Sequence, residues 1–234
     1  MKPLNKIMRL SRTTEVDDVT RRIIGGSKNY DFSSDAYLTG LIARLEPLSR
    51  NMTIAINRTK AESILEEKDE KRDNELRGIF HLVQGYLYHP DETVKSSAAK
   101  IFDVVGTYKT DIVNESYATE SSLIESMLTD LAAAELQSDV AGLPGLNQVI
   151  VSLRTAQDEF EQAQADYNDE KVKDSSFASA TDIKKEILPV INNELIVYLT
   201  AMALAKSDEY GPFAQLTGQI IDDNNAAVKK RSKK

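Results

Sequence analysis

Apolar residues recur along this chain at spacings of three and four, the signature of one face of an α-helix. The first stripe is Val16, Val19 and Ile23. Thr13 and Thr14 precede it, and Glu15 and Asp17 sit in the first turn, so a helix is expected to start there. Gly25-Gly26 is expected to stop it. A second stripe runs through Leu38, Leu41, Ile42, Leu45, Leu48, Met52 and Ile56. Ser33, Ser34 or Asp35 opens it, and Pro47 is expected to kink it. Residues 66–75 are almost all polar or charged, so this helix is expected to end, or to project into solvent, near Lys68. A third helix shows Leu76, Ile79, Phe80, Val83, Tyr86 and Leu87, and breaks at His89-Pro90-Asp91. A fourth carries Val94, Ala98, Ile101, Phe102 and Val105.

The plan then recurs. Ile124, Met127 and Leu131 stand 108 residues after Val16, Val19 and Ile23. Val149, Ile150, Leu153 and Phe160 stand at the same offset from Leu41, Ile42, Leu45 and Met52. Leu76, Ile79 and Phe80 match Ile187, Val190 and Ile191 at an offset of 111, a small length difference of the kind loops absorb. Ser121 or Ser122 is expected to cap the first helix of this half, and Gly142-Leu143-Pro144-Gly145 to form a turn. Gly211-Pro212 is expected to open the last helix, with Phe213, Leu216, Ile220 and Ile221. No period-two strand pattern is found. The expected fold is all-α: two pseudo-repeated antiparallel bundles of about four helices each, because short-linked stripes can be buried only against one another. Residues 1–110 form the first repeat, and residues 111–234 form the second with a basic tail. Phe80, Phe102, Leu153 and Ile191 are expected in the cores.

Composition agrees with this picture. Hydrophobic residues at 41% and charged residues at 28% suit a packed globular chain, and few glycines (10) and prolines (6) suit long helices. The net charge of −8 disfavours broad contact with nucleic acid or anionic lipid. The absence of cysteine removes disulfides, thiol nucleophiles and thiolate metal sites. Met1 to Leu10 holds no apolar run fit for a signal peptide, and no stretch is read as approaching the roughly 18 apolar residues of a membrane span. A cytoplasmic protein without membrane partners is expected.

Candidate chemistry is sparse. His81 and His89 lack a Glu-x-x-His partner and read as surface or turn residues, so no di-metal bundle site is expected. The pairs Glu66-Glu67, Asp69-Glu70, Asp158-Glu159 and Asp222-Asp223 are interleaved with Lys and Arg, as on solvated helix faces. Glu194, after Asn192-Asn193, falls in register with Val190 and Tyr198 and reads as a buried polar pin bonded to a neighbouring helix. The glycine pairs are too short for a phosphate loop. No catalytic, cofactor-binding or metal residues are assigned. The one local excess of positive charge is Lys229, Lys230, Arg231, Lys233 and Lys234. It reads either as a contact for nucleic acid or an acidic partner, or as a mobile, solubilising terminus outside the bundles, and the structural reading is preferred.

The run Leu76-Arg77-Gly78, Tyr86-Leu87 and His89-Pro90, then Ala98-Ala99, Tyr108 and Glu115-Ser116-Tyr117, resembles a helical family catalogued as domain of unknown function 6261 (DUF6261) of Bacteroidota. Gly142-Leu143, Leu153 and Phe160 fit the same pattern. The resemblance implies a bacterial, intracellular, all-helical protein and carries no site residues. The functional expectation is a non-enzymatic helical interaction or scaffold protein, without cofactor, that meets an unidentified protein partner or a second copy. The alternative is a nucleic-acid-associated protein acting through the tail.

Overall fold

The computed structural model describes residues 3–108, 110–173 and 178–233. Among them no strand occurs, and the chain is all-α. The helices are α1 (Thr13–Ser27), α2 (Ala36–Tyr86), α3 (Glu92–Val105), α4 (Tyr117–Leu131), α5 (Gln137–Gly142), α6 (Leu146–Lys173), α7 (Ala180–Pro189), α8 (Ile196–Ala205) and α9 (Ser207–Arg231). A π-helical turn, Val190–Leu195, joins α7 to α8.

Several boundaries differ from expectation. α1 passes through Gly25-Gly26 to Ser27. A Cβ on Gly26 would lie 2.6 Å from Leu216 Cδ2, so this glycine serves the close approach of α9 and does not end the helix. The helices expected on either side of residues 66–75 are one helix, α2, which also continues through Pro47. Ser116 caps α4 in place of Ser121 or Ser122: the Thr119 N–H donates to Ser116 Oγ at 3.4 Å. Phe102 is only half-buried, while Phe80, Leu153 and Ile191 are core residues as expected. Pro212 lies inside α9, whose first residue is Ser207.

Two compact units are formed. One combines Met1–Lys60 with Glu170–Lys234, and the other is Ala61–Asp169. This grouping differs from the halves 1–110 and 111–234, because the long helices α2 and α6 each leave one unit for the other partway along their length. In the first unit, Val16, Val19 and Ile23 of α1 share a core with Leu38, Leu41, Leu45 and Met52 of α2, with Ile187, Ile191, Leu195 and Leu199, and with Phe213, Ile220 and Ile221 of α9. In the second, Leu76, Ile79 and Val83 of α2 meet Ala98 and Ile101 of α3, Ile124, Met127 and Leu131 of α4, and Leu146 and Leu153 of α6.

Asp35 starts α2 by accepting the Leu38 N–H at 2.9 Å, while its other oxygen accepts the Tyr198 and Tyr210 hydroxyls at 2.7 and 2.8 Å. Burial pushes this carboxyl up, but those bonds outweigh it and hold it below the ordinary range. Burial, with the bond to Asp35, pushes Tyr198 up to about 12.

The run Ala180–Ala205 is long and apolar enough to cross a membrane by length and composition, which the sequence reading missed. It carries Pro189, the π-helical turn and Glu194, and its Ile183, Ile187, Ile191, Leu195 and Leu199 lie in the first core.

Candidate functional site

In the first unit, residues 3–12 form a non-helical strap before α1 that is held by two asparagines. Asn192 accepts the Ile7 N–H at 2.8 Å and donates to the Ile7 carbonyl at 3.0 Å. Asn225 of α9 accepts the Met8 N–H at 3.1 Å and donates to the Lys6 carbonyl at 2.8 Å. Each side-chain amide thus replaces the backbone partner this stretch lacks. Asn192 stands in the π-helical turn just after Pro189, whose missing N–H already interrupts the helical ladder. Glu194, expected as the buried pin, is instead partly exposed and bidentate to Arg44 at 2.6 and 3.1 Å. The pin is Asn192. Replacing Asn192 by Ala strands a buried N–H and C=O and should cost about 1–3 kcal/mol in urea unfolding, with faster proteolysis before Thr13. A change within about 0.5 kcal/mol would show that the stretch is not held this way.

Between this stretch and α7 lies a groove of about 500 Å³. Lys6, Arg9, Lys184 and Lys185 line it, together with Leu188 and Pro189. Lys184 Nζ donates to the Arg9 carbonyl at 3.1 Å and to the Ser11 carbonyl, which locks the strap onto α7. Lys6 Nζ donates to Asn193 Oδ1 at 3.0 Å, and Lys185 pairs with Asp182 at 2.7 Å. A groove lined by cations and apolar side chains can hold an anionic group attached to an apolar one.

The basic terminus is less free than expected. α9 runs to Arg231, and Val228 is fully buried. Arg231 pairs with Glu15 and donates to the Leu10 carbonyl at 3.0 Å, so its charge is used within the fold. Lys229 and Lys230 are exposed on the last turn and Lys233 is exposed beyond it. Lys234 lies outside the described residues.

The second unit holds a buried charged cluster that the sequence reading took for a solvated face. Arg72 is fully buried on α2. Its Nη2 donates to Glu120 at 2.6 Å and to Asp69 at 2.7 Å, and its Nη1 donates to Ser121 at 3.0 Å and Gln157 at 3.4 Å. The guanidinium lies 3.7 Å from the Phe160 ring centroid, and Tyr117 meets the same ring edge-on at 5.1 Å. Such a guanidinium is held by charge, by bonds in its own plane and by the ring beneath it. Glu120 is almost fully buried. Nearby, Lys68 and Lys71 of α2 both bind Glu159 of α6, at 3.0 and 2.9 Å, and hold its carboxyl below the ordinary range. His81 is exposed, and His89 accepts the Asp91 N–H in the turn after α2.

A family model described as "Family of unknown function (DUF6261)" matches residues 63–218, about two thirds of the chain. The chain belongs to this family. The match spans Arg72, Glu120, Gln157, Lys184 and Lys185, but not Lys6, Arg9 or the basic terminus. No curated protein and no solved structure matches the chain.

Proposed function

We propose that this member of the DUF6261 family is a non-enzymatic helical interaction protein that receives an acidic partner segment in the groove between the strap and α7. One observation carries this: on a chain of net charge −8, Lys6, Arg9, Lys184 and Lys185 line one groove together with Leu188 and Pro189. The complement is an amphipathic segment with Asp or Glu beside an apolar side chain. Charge of this kind steers encounter and selects the partner, and the apolar lining adds contact area. The strap supplies Lys6 and Arg9, so its pinning by Asn192 and Asn225 also shapes the groove. The setting proposed is the cytoplasm.

The test is fluorescence anisotropy with a labelled amphipathic peptide carrying Glu on one helical face and Leu on the other. Binding should weaken as salt rises. Arg9→Glu with Lys185→Glu should weaken it roughly tenfold or more, while Lys184 still holds the strap. Equal binding by both proteins would refute the groove. Displacement of the peptide by duplex DNA, lost when Lys229, Lys230 and Lys233 are replaced by Glu, would favour the nucleic-acid alternative.

The internal repeat is proposed alongside. Val16, Val19 and Ile23 are buried, as are Ile124, Met127 and Leu131; so are Leu45 and Met52, with Leu153 and Phe160. Ile42 and Ile150 are both half-buried. On this reading each compact unit takes the opening helices of one repeat and the closing helices of the other.

A further inference from the structure

Two buried oxygens in the second unit, Glu120 Oε1 and Asp73 Oδ1, have no N–H or hydroxyl donor. The second oxygen of each group is satisfied, Glu120 Oε2 by Arg72 at 2.6 Å and Asp73 Oδ2 by Arg77 at 2.9 Å. Asp73 and Glu120 each bring a carboxylate oxygen within 4.8 Å of the other's. Two carboxylates are acceptors only, so a bond between them requires a proton on one. We infer that Glu120 is a neutral acid sharing its proton with Asp73, and that this proton latches α4 to α2, so the second unit loosens when rising pH removes it.

The surrounding charges support a proton rather than a cation. From α2, Asp69, Arg72 and Asp73 face Glu120, and Arg77 reaches it only through Asp73. From α6, Gln157 is neutral and donates its amide to Glu161 at 2.8 Å. On α4 itself the neighbours are Tyr117 and Ser121. Asp69, Asp73 and Glu120 each bring an oxygen within 4.8 Å of the others, but the Arg72 guanidinium already spends a full positive charge on two of the three. A proton completes the bonding without adding a second large cation. Burial pushes the Glu120 carboxyl up, Arg72 opposes, and Asp73 and Asp69 add to the rise, bringing it to about 8. A group raised from 4.5 to about 8 contributes stability fully below the lower value and loses it as pH rises through the upper one.

The experiment is thermal unfolding of the whole chain between about pH 6 and pH 9, wild type against Glu120→Gln. The amide still donates toward Asp73 and accepts from Arg72, but does not titrate. The wild-type midpoint should fall across this range, and the fall should be largely abolished in the variant. Parallel curves would overturn the latch. Carboxyl carbon NMR of the wild-type chain gives a second reading that does not depend on the variant folding. Glu120 should be protonated at about pH 6 and titrate in the alkaline range, and an ionised Glu120 at about pH 6 would overturn the inference. Magnesium or calcium chloride should not restore the wild-type midpoint at about pH 9, and restoration would replace the proton by a cation site.

Discussion

Replacing Arg72 by Ala is expected to destabilise the second unit by about 3–5 kcal/mol, among the largest effects of any single change in this chain. Arg72 is fully buried, and its removal leaves Asp69 without its cation and Glu120 without its donor. It also uncovers one face of Phe160 and strands the bonds to Ser121 and Gln157. Lys should not restore the loss, because one ammonium cannot serve two carboxyl groups, a hydroxyl and an amide in the guanidinium plane. Urea unfolding followed by circular dichroism measures it. A loss under about 1 kcal/mol would mean that water or another cation replaces Arg72, and the buried cluster would not be a structural centre.

Replacing Phe160 by Ala should cost a similar amount, about 3–5 kcal/mol, through a different cause. Its ring is fully buried and forms a small core with Leu65 and Ala163, with Tyr117 at its edge. Truncation leaves a cavity and removes the surface on which the guanidinium rests. The two substitutions should therefore couple. In a double-mutant cycle of R72A and F160A, the combined loss should fall short of the sum by more than about 0.5 kcal/mol. Simple additivity would show that the ring and the guanidinium act independently.

The helical class and most core positions were legible in the sequence, because spacing of threes and fours follows directly from helix geometry. Val16, Leu45, Ile79, Ile124 and Leu153 are all buried as their stripes imply. The polar run 66–75 does not end the helix, because register and not polarity decides which of its residues are buried. Arg72 stands seven after Leu65 and four before Leu76, so it occupies the apolar stripe of α2. Glu120 stands four before Ile124 on the stripe of α4. A charged residue in core register was thus the available signal for the buried cluster. The groove was not legible in the same way. Lys6 and Arg9 meet Lys184 and Lys185 across most of the chain's length, a tertiary meeting that no local pattern encodes. Asn192 rather than Glu194 is the pin because a side-chain amide can satisfy both an N–H and a C=O of one residue, whereas a carboxylate only accepts. The terminus looked unpartnered because Glu15, which holds Arg231, lies at the other end of the chain.

The groove is tested most directly by placing a photo-crosslinking residue at Thr181, which lines it without carrying any of its charge. The purified chain, irradiated with soluble host proteins, should crosslink to peptides rich in Asp and Glu that also carry apolar side chains. The same products should disappear in the Arg9→Glu, Lys185→Glu background. Crosslinks to nucleic acid, crosslinked peptides with no acidic excess, or products unchanged by the charge reversal would contradict an acidic partner in this groove.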